Sequence, residues 1–178
     1  MRVVFMGTPD FAVPTLAALI ENHEVVGVVT QPDKRKGRGK AMAFTPVKEK
    51  ALEYDIPVYQ PVKVGEEEFI ETLRGLDPEV IVVAAFGQIL PESILNMPKY
   101  GCINVHASLL PKYRGAAPIQ WSIIDGEKET GVTIMYMEKG LDTGDMLESA
   151  QTPITDTDNF ESLHDRLAEL GAELIVST

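Results

Sequence analysis

Asn104 and His106 stand two residues apart in the mostly apolar run Cys102-Ile103-Asn104-Val105-His106. On a strand, residues i and i+2 point the same way, so this spacing puts an amide and an imidazole on one face. Attack on a carbonyl carbon places negative charge on its oxygen, and that oxyanion needs aimed donors. Asn104 and His106 are suited to supply them. An attacking amine must also shed a proton, which calls for a carboxylate or imidazole close by. Asp142, in Lys139-Gly140-Leu141-Asp142-Thr143-Gly144-Asp145, offers a carboxylate between two expected strands, although Asp-Thr-Gly-Asp is also ordinary turn chemistry. The residues by themselves therefore point to acyl chemistry without a covalent intermediate.

Other chemistries fit less well. Ser108 lies near His106, but no nucleophile elbow surrounds it, and it reads as a loop hydroxyl bonding its own backbone. The three histidines, His23, His106 and His164, lie far apart in sequence with no His-x-x-x-His spacing, so a metal site is not expected. After the first apolar run the chain reads Gly7-Thr8-Pro9-Asp10-Phe11-Ala12. This lacks the second and third glycines of a dinucleotide fingerprint, and Pro9 removes a backbone donor where pyrophosphate would need one. No Gly-x-x-x-x-Gly-Lys-Ser/Thr stretch is present, so a P-loop is excluded as well.

The elements that must position the pair alternate between strand and helix. Strands are expected at Val3 to Met6, Val25 to Thr30, Val58 to Tyr59, Val80 to Ala85 and Cys102 to His106. The all-apolar Val80 to Ala85 suits a central parallel strand buried on both faces. Between the strands, helices are expected from about Pro14, from Thr45-Pro46 to about Tyr54, over Glu66 to Leu73, in a short piece near Pro91, and around Ile119 to Ile124. Two further strands, Val132 to Tyr136 and Met146 to Gln151, flank a turn. Phe160, Leu163, Leu167, Leu170, Leu174 and Ile175 recur at helical spacing behind the capping pair Asp158-Asn159. Alternation of this kind argues for an α/β fold with a doubly wound, mostly parallel sheet. The Pro and Gly beyond His106 place the pair at a strand's carboxyl end, where open α/β sheets bind ligands.

Length and charge set the frame. The chain has 178 residues, 44% of them hydrophobic, enough for one domain with a real core. Its one cysteine, Cys102, permits no internal disulfide and fits a reducing, cytoplasmic setting. No apolar stretch approaches the roughly 20 residues of a membrane span. The end at Thr178, without a C-cap glycine, points to a longer protein. Net charge is −11, which opposes general affinity for nucleic acid. Yet residues 34 to 50 carry seven Lys or Arg against one Glu. Lys34-Arg35-Lys36-Gly37-Arg38-Gly39-Lys40 is thus a basic loop on an acidic body, either a solvated loop or a contact for a phosphate-rich partner.

Two motifs carry a resemblance. Asn104 through Pro118, with its Ser108-Leu109-Leu110-Pro111 core, and Gly140-Leu141-Asp142-Thr143-Gly144-Asp145 resemble the folate-dependent formyltransferase family. The opening Val4 to Pro14, with Gly37-Arg38-Gly39-Lys40 and Thr45-Pro46-Val47-Lys48, is similar to the branch acting on aminoacylated initiator tRNA. The resemblance implies a Rossmann-like catalytic domain over residues 1–178, without the C-terminal β-barrel of that branch. It implies formyl transfer from 10-formyltetrahydrofolate to the α-amine of initiator methionyl-tRNA by a monomeric enzyme of translation initiation. On the matching positions, Asn104 and a protonated His106 would stabilise the oxyanion, while Asp142 would orient His106 and help remove the amine proton. Ser108, Leu109, Leu110 and Pro111 would line the folate site, and Phe86, Gly87, Gln88, Ile89 and Leu90 would form part of the pteridine pocket. Lys36, Arg38 and Lys40 would meet the tRNA. The same plan is open to a transferase of small amines, such as an amino sugar nucleotide or glycinamide ribonucleotide, and to a formyltetrahydrofolate hydrolase. A non-enzymatic binding module is a further alternative.

Overall fold

A computed structural model of the chain describes residues 1–35, 42–107, 129–137, 146–154 and 159–177. Five strands form its parallel part: β1 (Arg2–Gly7), β2 (Glu24–Val29), β5 (Val58–Tyr59), β6 (Val80–Ala84) and β7 (Cys102–His106). Two antiparallel strands, β8 (Glu129–Tyr136) and β9 (Met146–Pro153), extend it in the order β5-β2-β1-β6-β7-β8-β9. The chain winds outward from β1 to β5, then returns to the other side of β1 with β6. The strand order therefore reverses between β1 and β6, and such a switch point is where doubly wound sheets leave a crevice.

The helices cover both faces. Successive side chains on a strand point to opposite sides, and the burial divides accordingly. One core cluster joins Val3, Phe5, Val82, Ile103, Val105 and Ile134 to α1 (Val13–Asn22), α2 (Pro46–Glu53) and α5 (Phe160–Ser177). The other joins Val4, Met6, Ile81, Val83 and Cys102 to α3 (Glu67–Gly75) and α4 (Glu92–Leu95). β6 is buried at all five positions, as its continuous apolar sequence predicts. That strand stops at Ala84, one residue before the apolar run does, because Ala85 turns to φ 51°. Thr45 caps α2 as its sequence predicts, accepting the Lys48 backbone N–H at 3.1 Å ahead of Pro46. Asn159 accepts the Ser162 N–H at 2.9 Å beside α5.

One element was not expected. Lys34–Arg35 (β3) and Met42–Ala43 (β4) pair antiparallel as a separate two-stranded ribbon, so the basic segment opens as a strand at Lys34 and Arg35 where a loop was expected. Two-residue strands carry no alternation from which to read them.

Candidate active site

Between β1 and β6, where a dinucleotide fold would keep its crevice open, the two loops are joined. The Thr8 hydroxyl, one residue past β1, donates to the Phe86 carbonyl, two residues past β6, at 2.8 Å. This contact agrees with the absence of a glycine fingerprint after β1.

The loop after β6 has a specific shape. Ala85 and Gly87 both take left-handed backbone, with φ 51° and 97°. Glycine alone adopts such a φ without cost, and a Cβ at Gly87 would lie 2.8 Å from the Gln31 side chain. The loop thereby alternates inward and outward. Phe86 and Leu90 are buried in the α3/α4-side core, whereas Ile89 is 81% exposed. Gln88 ties it down, its Oε1 accepting the Val64 N–H at 2.9 Å and its Nε2 donating to the Pro61 carbonyl at 3.1 Å.

Asn104 and His106 sit on the adjacent strand. Asn104 is paired with Val83 of β6 and Met135 of β8, and His106 with Thr133 of β8. Ile103, Val105 and Ala107 belong to the α1/α2/α5-side core, and Cys102 to the other. Alternation then directs Asn104 and His106 to the face that also holds Phe86 and Leu90. His106, the last residue of β7, is buried, and Asn104 is half-buried. An amide and an imidazole thus share one side of a carboxyl end, two strands from the switch point. Held in place and shielded from bulk water, such donors act more strongly on a developing oxyanion than they would in solution.

The same face carries a thiol with no chemistry. Cys102 is buried, and its Sγ lies 3.6 Å from the Ile94 carbonyl of α4. Burial pushes its pKa up to about 12, so the thiol is not an available nucleophile.

Of the residues singled out from sequence, Asn104, His106 and Phe86 to Leu90 are brought to this one face and end of the sheet. Asp142, Ser108, Leu109, Leu110, Pro111, Lys36, Arg38 and Lys40 lie outside the described residues, as does the helix expected around Ile119 to Ile124. Sequence reasoning passed over Gln31 and Gln60. Gln60 follows directly on the carboxyl end of β5 and Gln31 lies two residues beyond that of β2, which is the signal that could have found them. Gln31 accepts from Gln88 Nε2 at 2.9 Å, and Gln60 Nε2 donates to Asp33 Oδ1 at 2.7 Å. The Lys48 ammonium meets the other Asp33 oxygen at 2.8 Å. The Lys48 hydrogen bond, then that of Gln60, holds the Asp33 carboxyl below its ordinary value.

The chain as a whole is similar to known proteins. Methionyl-tRNA formyltransferase of Citrifermentans bemidjiense is 63% identical over 179 residues, covering all of this chain and 56% of the relative. Its namesake from Clostridioides difficile is 60% identical over 179 residues, again covering all of this chain and 58% of the relative. The chain therefore spans little more than half the length of these curated relatives. Among solved structures, phosphoribosylglycinamide formyltransferase from Bacillus halodurans matches with a TM-score of 0.80 at 22% identity, covering 99% of this chain and 92% of that one. That likeness concerns the fold. The formyl transferase family model matches residues 1–178 from end to end, and the chain belongs to that family.

Proposed function

We propose that this chain carries the catalytic site for moving a formyl group from 10-formyltetrahydrofolate to the α-amine of methionine on initiator tRNA. The observation that carries the chemistry is the shared face of Asn104 and His106 beside Phe86 and Leu90. The choice of acceptor rests on the relatives, about 60% identical across the whole chain and named methionyl-tRNA formyltransferase.

In this reading the pteridine rests against the Phe86 to Leu90 loop and Ser108 to Pro111, which presents the formyl carbon to Asn104 and His106. The methionine nitrogen attacks that carbon, and the carbonyl electron pair moves onto oxygen, where Asn104 and protonated His106 donate to it. Asp142 keeps the imidazole oriented and assists removal of the amine proton. Collapse breaks the bond between the formyl carbon and N10 of the folate, which takes up a proton as it leaves. Lys36, Arg38 and Lys40 hold the acceptor end of the tRNA through its phosphates.

Calorimetric titration of the chain with a non-hydrolysable 10-formyltetrahydrofolate analogue tests the first half, and saturable one-to-one binding is expected. Competition between methionyl-tRNA and glycinamide ribonucleotide as formyl acceptors tests the second. Absence of binding by the folded chain would overturn the folate assignment. Preference for the small amine would overturn the tRNA assignment and leave the chemistry standing.

A further inference from the structure

We infer that Gln31 is a positioning residue that fixes the shape of the Phe86 to Leu90 loop and, through it, the affinity for folate. This rests on the reading of that loop as part of the folate pocket. The polarity of the hydrogen bonds decides it. Val64 offers only a backbone N–H to Gln88, and Pro61 only a carbonyl. These two fixed groups orient the Gln88 amide, with Oε1 toward Val64 and Nε2 toward Pro61. The second Nε2 proton is then aimed at Gln31, which has to present its oxygen, and the two meet at 2.9 Å. Gln31 also lies against Gly87, where a Cβ would come within 2.8 Å of it. The loop is consequently gripped at Gln88 from the side and at Gly87 from below, while Thr8 grips Phe86.

Gln31 is itself held from both sides. Its N–H lies 3.4 Å from the Thr8 hydroxyl, and its carbonyl accepts from Gln60 Nε2 at 3.3 Å. Gln60 also donates to Asp33, the residue directly before β3. One hydrogen-bonded node therefore fixes both the folate-side loop and the point where the basic segment departs. A loop with two left-handed residues has many alternatives in the free chain. Holding it in one shape removes an ordering cost that a ligand would otherwise meet.

Two substitutions separate the oxygen of Gln31 from its bulk. Gln31→Met keeps length and volume but loses the acceptor. Gln31→Glu keeps an acceptor facing Gln88. With the folate analogue, Gln31→Met should weaken calorimetric affinity about tenfold, the cost of one hydrogen bond, and Gln31→Glu should recover most of it. Amide hydrogen exchange on the ligand-free chain gives a readout independent of folate. Residues 85 to 90 and the Val64 amide should exchange about tenfold faster in Gln31→Met while β1 and β6 stay protected. Unchanged exchange at Val64, or an effect in Gln31→Glu as large as in Gln31→Met, would overturn the assignment. So would a loss of protection spread over β1 and β6, which would make Gln31 a support of the whole fold. Failure of the unsubstituted chain to bind the analogue would count against the folate reading alone, since the exchange pattern judges Gln31 separately.

Discussion

β7 and the residue after it present two faces within six residues, and these differ in what they pack against. Toward α5 it offers Ile103, Val105 and Ala107, all in one apolar cluster, and the helix comes so close that a Cβ on Gly171 would lie 2.9 Å from Val105 Cγ1. Toward α3 and α4 it offers Cys102, Asn104 and His106. Here α4 meets the start of the strand, where its Ile94 carbonyl lies 3.6 Å from the Cys102 sulfur. The packed face fixes where the strand lies. The other face grades from a buried thiol to a polar pair at the carboxyl end, the pair proposed above to act on the formyl carbon. Substitutions on the two faces should then have separable consequences, one in stability and the other in turnover.

The largest expected contrast lies within the polar face itself. An ordinary thiol titrates at 9.0, and Cys102 is pushed up to about 12, so its thiolate fraction at pH 8 falls on the order of a thousandfold. Iodoacetamide should leave the folded chain unlabelled over hours and label it promptly in denaturant. Labelling in native buffer at the rate of a free thiol would mean that α4 does not seal this end of the strand. By contrast, Asn104→Ala and His106→Ala should each lower formyl transfer by about a hundredfold, the usual loss when one oxyanion donor is removed. Melting temperature and analogue binding should stay near those of the parent. Unchanged turnover in both variants would reduce the pair to ordinary strand residues.

The opposite face should answer in stability. Val105→Ala removes two buried methyl groups against α5, which costs about 2 kcal/mol, measurable by urea unfolding. Gly171→Ala forces a methyl into the space of Val105 Cγ1 and should destabilise the parent, although alanine is the better helix former. Combined with Val105→Ala, the same methyl fills the vacated space and should restore at least about 1 kcal/mol. A simple sum of the two single effects would show that α5 sits farther from β7 than the Gly171 approach implies.

How much of this was legible in the sequence follows from the range of the interactions. The bounds of β7, the Thr45 cap, the buried strand β6 and the hairpin strands β8 and β9 all came from neighbours within a few residues, where periodicity and capping chemistry act. The shared face of Asn104 and His106 needed only the two-residue repeat of a strand. The node around Gln31 was not legible, because its bonds join residues 57, 29 and 23 positions apart. Nothing local distinguishes a glutamine that will meet another across the sheet from one that will face water. The ribbon of β3 and β4 was hidden for a different reason, being too short to carry a pattern. The proposed formyl transfer was readable only because the motifs around Asn104 and Asp142 resemble a known family. An amide and an imidazole alone allow any reaction that builds an oxyanion.

The smallest effect belongs to Asp33, and it tests whether the node persists away from neutral pH. Its carboxyl is held below the ordinary 3.8, first by the Lys48 hydrogen bond and then by that of Gln60, with desolvation opposing them. A carboxyl whose folded value is depressed contributes stability that is fully present above the unfolded value and is lost as pH falls through the folded one. Asp33→Asn should therefore lower stability by a constant small amount between about pH 5 and 7, and the gap to the parent should close only as pH drops below roughly 4. Lys48 keeps a second partner in the variant, since its ammonium lies 3.8 Å from the centre of the Phe44 ring, and this limits the loss. Added salt should shrink the gap further, because both side chains of the pair remain partly open to solvent. A gap that instead widened on acidification would mean that Asp33 is protonated more readily in the folded chain than in the unfolded one. Lys48 and Gln60 could not then be its partners in solution, and the root of the basic segment would have to be anchored by something other than this node.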